Sequence, residues 1–198
     1  MPKVTEEHRV ARRAQIVAAA RTCVAEEGFH KTTMADVIQT SGLSAGAVYG
    51  YFKSKEDIVE AIAEEALSSV DELFANVLVT DDPLSPLLVL ERVLNHIVSV
   101  AERPGGDVTR IALQAWAESL RNPAVKTIAE GKYRMLRGRF AEVARRAQAD
   151  GTIDADVDPE HVAQVLFGFV PGFILQRLLI GDISAGTYTA GLRALLRN

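Results

Sequence analysis

The sequence predicts an all-α protein of about nine helices. Three observations carry that expectation. Apolar residues recur at helical spacing along nearly the whole chain. Glycine, proline and Ser/Thr/Asp capping signals fall at the ends of the periodic stretches. No stretch reads as a strand, a repeat or a low-complexity segment.

The elements follow in order. In the first, Ile16, Ala20, Cys23 and Val24 share one face, and Gly28 closes the helix. A short second helix starts at Thr33, with Asp36 three residues on as a capping-box partner, and ends at Ser41-Gly42. Ser44 caps a third helix that runs to about Phe52. Ser54 and Asp57 open a fourth, whose stripe Ile58, Ile62, Ala66, Val70, Leu73, Val77 covers nearly six turns.

Pro83 and Pro86 mark a break and a restart. The next helix reaches about Ala101 and ends at Arg103-Pro104-Gly105-Gly106; another spans about Asp107 to Leu120. Asn122-Pro123 starts a helix carrying Val125, Leu136, Phe140 and Val143, closed by Asp150-Gly151. Asp158-Pro159 opens one reaching about Gly181, and Ser184 caps a last helix to Leu196. The 159–181 helix is apolar on every face, so burial on all sides is expected, one side against another subunit. Pro171 predicts a kink in it.

The chain has 198 residues, 48% hydrophobic and 24% charged, as an ordinary globular protein does. Its longest unbroken apolar run is the eleven residues Val165 to Leu175, too short to span a bilayer. The N-terminus has no apolar signal core, so a cytoplasmic protein without membrane association is expected. A single cysteine, Cys23, excludes an internal disulfide and a multi-cysteine metal site. The four histidines show no metal-ligand spacing with one another, and no cofactor or metal is expected. Net charge is −4 but uneven: residues 1–55 hold eight Lys/Arg against five Asp/Glu, and residues 56–198 fourteen against twenty-one. A basic head on an acidic body suits an anion-binding end.

Residues 33–52 pair two short helices through a tight glycine-containing turn. That is a helix-turn-helix, whose second helix enters the DNA major groove. The small residues Ala45, Gly46 and Ala47 let the backbone approach base edges and phosphates, and the first-turn N–H groups favour an anion. Tyr49 and Tyr51 offer hydroxyls to phosphate oxygens, and Lys55 can reach another phosphate. Phe52 is expected to anchor the unit in its core.

Residues 9–65 resemble the DNA-binding domain of the TetR/AcrR family of transcriptional regulators. The resemblance rests on Glu27-Gly28-Phe29, Thr32-Thr33-Met34-Ala35-Asp36-Val37-Ile38, Ser41-Gly42-Leu43-Ser44, then Gly46, Val48-Tyr49, Tyr51-Phe52 and Lys53-Ser54-Lys55-Glu56-Asp57. It implies a DNA-binding domain at 1–57 and an effector-binding and dimerisation domain at 58–198. It implies that Thr33 contacts phosphate and that Ser44, Ala45, Gly46 and Ala47 approach the DNA. Tyr49 and Lys55 match the family's phosphate-contacting tyrosine and lysine, and Tyr51 stands where an aromatic or histidine is usual. Ala45 and Gly50 depart from many members, where position 45 is often polar and position 50 bulky. Base readout is then left to thymine-methyl contacts, to second-helix residues such as Met34, or to DNA shape.

The resemblance further implies a homodimer built on the last two helices, with Val165, Gly168, Gly172, Leu175, Leu179, Leu192 and Leu195 at its interface. It implies a small-molecule effector; His96, Gln114, Trp116, Met135 and Phe169 are the candidate ligand contacts, with Gln114 as the polar anchor. Plain core packing is the alternative for each. Arg134, Arg137, Arg139, Arg145 and Arg146 read as a solvated helix face, or as a site for an acidic effector. No GxSxG, HExxH or P-loop occurs, and no catalytic residue is expected. The expected function is a ligand-responsive regulator of operator DNA, a repressor released by an apolar effector. An activator of the same fold and a helical protein-interaction module are the alternatives.

Overall fold

The computed structural model describes residues 6–79, 83–103 and 107–196; the Pro104-Gly105-Gly106 part of the expected break lies outside them. Among the described residues there are nine helices and no strand: α1 (Glu6–Glu27), α2 (Met34–Ser41), α3 (Ala45–Tyr51), α4 (Lys55–Leu78), α5 (Pro86–Ala101), α6 (Val108–Ser119), α7 (Pro123–Ala149), α8 (Pro159–Leu179) and α9 (Ala185–Leu195).

The boundaries are set by the residues that predict them. Thr33 caps α2 in an extended conformation, and its side chain and that of Asp36 exchange bonds with each other's backbone N–H in a full capping box. Asp107, Asp158 and Ser184 cap α6, α8 and α9, and the Asn122 side chain accepts from Ala124 N at the start of α7. Gly28 follows α1 at φ 86°, a left-handed conformation that favours glycine.

By packing, the chain forms two compact units: Met1–Ala66 with Ala101–Ala129, and Leu67–Val100 with Glu130–Asn198. The first unit holds α1, α2, α3, the start of α4, α6 and the start of α7. Its core joins Ile16, Val17, Ala20 and Val24 of α1 to Phe29, Val37, Val48, Phe52, Ile58 and Ile62. Ile111 of α6 and Val125 of α7 complete it. Phe52 is buried, as its anchoring position requires.

The second unit packs α5, the end of α4, most of α7, α8 and α9. Phe74 and Phe140 meet edge-to-face with centroids 5.1 Å apart, both fully buried. Arg139 binds Asp71 at 2.6 Å and Glu142 at 3.0 Å, and these two carboxylates raise its pKa. Arg145 pairs with Glu160 and Arg146 with Asp150. Three of the five α7 arginines are thus ion-paired in the fold; Arg134 and Arg137 are exposed.

α8 runs without interruption through Pro171. Its buried residues are Ala163, Leu166, Val170, Phe173 and Ile174, while Val165 is 59% and Leu179 75% exposed. Within one chain, then, this helix is buried on one side only. By length and composition alone it could cross a bilayer, an 18-residue window of it having mean hydropathy 1.6, which the eleven-residue apolar run does not suggest. The buried face is committed to packing against its own chain.

Candidate nucleic-acid interface

Three helices of the first unit assemble the helix-turn-helix, and local chemistry explains its shape. α2 stops because Gly42 adopts φ 67°, ψ 13°, a left-handed cap whose N–H returns to Gln39 O. Buried Ser41 shapes the turn: its hydroxyl donates to Ile38 O and accepts from Leu43 N. Ser44 starts α3 by accepting from Ala47 N at 3.2 Å. From α1, Gln15 Nε2 donates to Ser41 O at 2.7 Å and braces the turn from outside.

Inside α3 a single residue, Val48, is fully buried and fixes which face points inward. Ala45, Gly46, Tyr49 and Gly50 then fall on the exposed face, with Tyr49 43% exposed. A Cβ added at Gly46 or Gly50 would meet nothing within 4 Å. The result is a flat, nearly side-chain-free strip with one phenol standing on it. Its exposed backbone can come close to a broad partner such as a groove wall.

The other predicted residues divide into exposed and packed ones. Thr33 and Ser44 are exposed at helix starts, and Ala47 is half-buried. Met34 and Tyr51 are half-buried and pack against the core. Lys55 Nζ donates to Phe29 O at 3.0 Å and lies 4.4 Å from the centre of the Phe29 ring. Lysine has three donors, so this contact fixes the ammonium without exhausting it. Lys53 Nζ caps α3 by donating to Tyr49 O. The Asp57 carboxylate accepts from the Ser54 hydroxyl and the Lys53 and Ser54 N–H groups, which lower its pKa. The Asp36 carboxyl is lowered in the same way by Thr33.

Arg12, Gln15 and Arg13 went unnoticed in the sequence. Arg13 lies over the Phe52 ring, 5.5 Å from its centre, and pairs with Glu64 at 3.2 Å. Arg12 Nη1 donates to Gln15 Oε1 at 2.7 Å. Their only sequence signal is the basic N-terminal head.

The candidate ligand residues belong to different units. In the first, Gln114 Oε1 accepts from Phe29 N at 2.7 Å, and Trp116 is half-buried on the same helix. In the second, His96 Nε2 bonds the Ser69 hydroxyl at 2.8 Å. Phe169 meets Tyr188 edge-to-face at 6.1 Å, and Met135 is partly exposed. Among the described residues no group of His, Cys, Asp and Glu could hold a metal ion.

An all-helical chain whose helix-turn-helix shows a bare recognition face is, as a class, a DNA-binding transcriptional regulator. The comparisons narrow the class. The family "Bacterial regulatory proteins, tetR family" matches residues 16–62, and "BetI-type transcriptional repressor, C-terminal" matches residues 90–198. The regulator UidR of Escherichia coli K12 is 26% identical over 189 residues, covering 93% of this chain and 90% of UidR. Salmonella enterica GusR superposes with a TM-score of 0.74 at 28% identity, covering 99% of this chain and 100% of that one. SmeT in complex with triclosan shares the fold, with a TM-score of 0.76 at 23% identity over 93% of this chain and 90% of its own. The chain belongs to the TetR family of transcriptional regulators, a family of DNA-binding proteins and not of enzymes.

Proposed function

We propose that this protein is a ligand-responsive repressor that binds double-stranded operator DNA as a homodimer and is released by a small apolar effector. The observation that carries the DNA-binding part is the exposed face of α3: Ala45, Gly46, Tyr49 and Gly50 beside the capped starts at Thr33 and Ser44. Ser44, Ala45, Gly46 and Ala47 bring backbone to the groove. Thr33, Tyr49, Tyr51 and Lys55 bind phosphates, and Met34 offers an apolar contact to the base edges.

The stripe Val165, Gly168, Gly172, Leu175, Leu179 supports the dimer. Its spacing alternates three and four residues, the repeat of a helix–helix seam, and Val165 and Leu179 are solvent-exposed within one chain. Leu192 and Leu195 of α9 extend it. Repressor function is supported by the C-terminal family match, and effector binding by the SmeT complex with triclosan. Residues 1–57 carry DNA binding and 58–198 carry effector binding and dimerisation, in the cytoplasm. An effector held near His96, Gln114, Trp116, Met135 or Phe169 favours a dimer whose recognition helices no longer match major grooves about 34–36 Å apart.

The test is a gel shift with the DNA flanking its own gene. Salt-sensitive retardation by a folded dimer is expected; its absence at low salt overturns the reading.

A further inference from the structure

We propose that Arg12 of α1 is a further phosphate-contacting residue, held beside the helix-turn-helix by Gln15. The proposal rests on the DNA-binding reading above.

The Gln15 carboxamide bridges two groups. Its Nε2 donates to the Ser41 carbonyl at 2.7 Å, and its Oε1 accepts from Arg12 Nη1 at 2.7 Å. Both ends are chemically matched: an amide N–H faces a carbonyl, and an amide oxygen faces a cation. Turning the amide over would set its N–H₂ against the guanidinium, so the orientation is dictated. Ser41 is the last residue of α2, three before the Ser44 cap of α3. One side-chain amide and two hydrogen bonds therefore separate the Arg12 guanidinium from the turn that launches the recognition helix.

The electrostatics set Arg12 apart. Its neighbours Arg9 and Arg13 are ion-paired, to Glu6 and Glu64. Arg12 bonds to two uncharged acceptors, Gln15 Oε1 at 2.7 Å and His8 Nε2 at 3.5 Å. Among the described residues no carboxylate pairs with it, and the five residues that precede Glu6 include none. Among the described residues, then, no carboxylate offsets its charge. Guanidinium offers five donors in a planar fork, and two serve Gln15 and His8. The rest suit a phosphodiester oxygen pair. A side chain oriented by an amide, charged and half-exposed, at the edge of a groove-binding turn fits a phosphate contact.

The experiment uses the full chain and a short mixed-sequence duplex, with affinity followed by fluorescence anisotropy across salt concentration. Each neutralised phosphate contributes about 0.9 to the slope of log K against log salt. Arg12→Gln keeps hydrogen-bond donors without charge and is expected to flatten the slope by about one. Arg12→Lys keeps the charge and is expected to retain it. Melting temperatures of both variants establish that they fold. A wild-type slope in Arg12→Gln, or equal flattening in both variants, overturns the proposal and leaves the DNA-binding reading standing. A wild-type chain without salt-dependent binding overturns both.

Discussion

The side-chain carbonyl of Gln114 accepts the backbone N–H of Phe29 at 2.7 Å, across 85 residues of sequence. The same oxygen lies 3.6 Å from where a Cβ on Gly28 would stand. Phe29 is buried, so its N–H depends on this acceptor. Gln114→Ala is expected to destabilise the protein by about 1–3 kcal/mol, the cost of a buried donor left unpaired. Gln114→Glu keeps an acceptor and should cost less. Urea unfolding of both variants checks the order.

Lys55 also docks on Phe29, on its carbonyl and its ring. Lys55→Ala is expected to flatten the salt slope of DNA binding by about one. It should also cost a little stability, since the stem and charge lose the ring contact. An unchanged slope would assign Lys55 to the fold alone.

Gly46 and Gly50 have open space where a Cβ would go. Gly46→Ala and Gly50→Ala should each stabilise the free protein by about 0.5–1 kcal/mol, because glycine costs a helix conformational entropy. Both should weaken DNA binding, because the added methyl holds the backbone away from the groove. Thermal melts and anisotropy must move in opposite directions; parallel changes would reject the close-approach role.

Val165 and Leu179 are exposed in the single chain. If the homodimer proposed above is built on this face, Val165→Glu and Leu179→Glu should leave the chain folded and shift it from dimer to monomer in size-exclusion chromatography with light scattering. Unchanged dimers would place the subunit interface elsewhere.

The helix starts carry a pH dependence. Asp36 and Asp57 have lowered folded pKa values because hydroxyl and N–H groups bond their carboxylates. A lowered folded pKa means that the stability is fully present above the unfolded value near 3.9 and is lost as pH falls through the folded value. The caps of α2 and α4 should therefore hold across pH 5–8 and weaken only in acid. Asp36→Asn with Asp57→Asn is expected to reduce the change in urea midpoint between about pH 4 and pH 2.

The sequence by itself determined the helices, because their causes are local. Thr33 with Asp36, Ser44, Asp158-Pro159 and Ser184 bond backbone groups within a few residues, and Gly28 and Gly42 end helices through their own φ angles. The helix-turn-helix was legible for the same reason, and its joint spacing carried the family.

What only the tertiary structure decided are contacts between residues distant in sequence. Gln114, expected as a ligand's polar anchor, supplies the acceptor for Phe29 N, and no local pattern announces a bond spanning 85 residues. Most of the α7 arginine stretch resolves into ion pairs with Asp71, Glu142, Glu160 and Asp150, one of them 68 residues away. α8 is apolar all round, so periodicity could not say which side its own chain covers; packing left Val165 and Leu179 in solvent. Propensity and capping act over one helical turn, whereas the partner of a long side chain is chosen by which helices the core brings together.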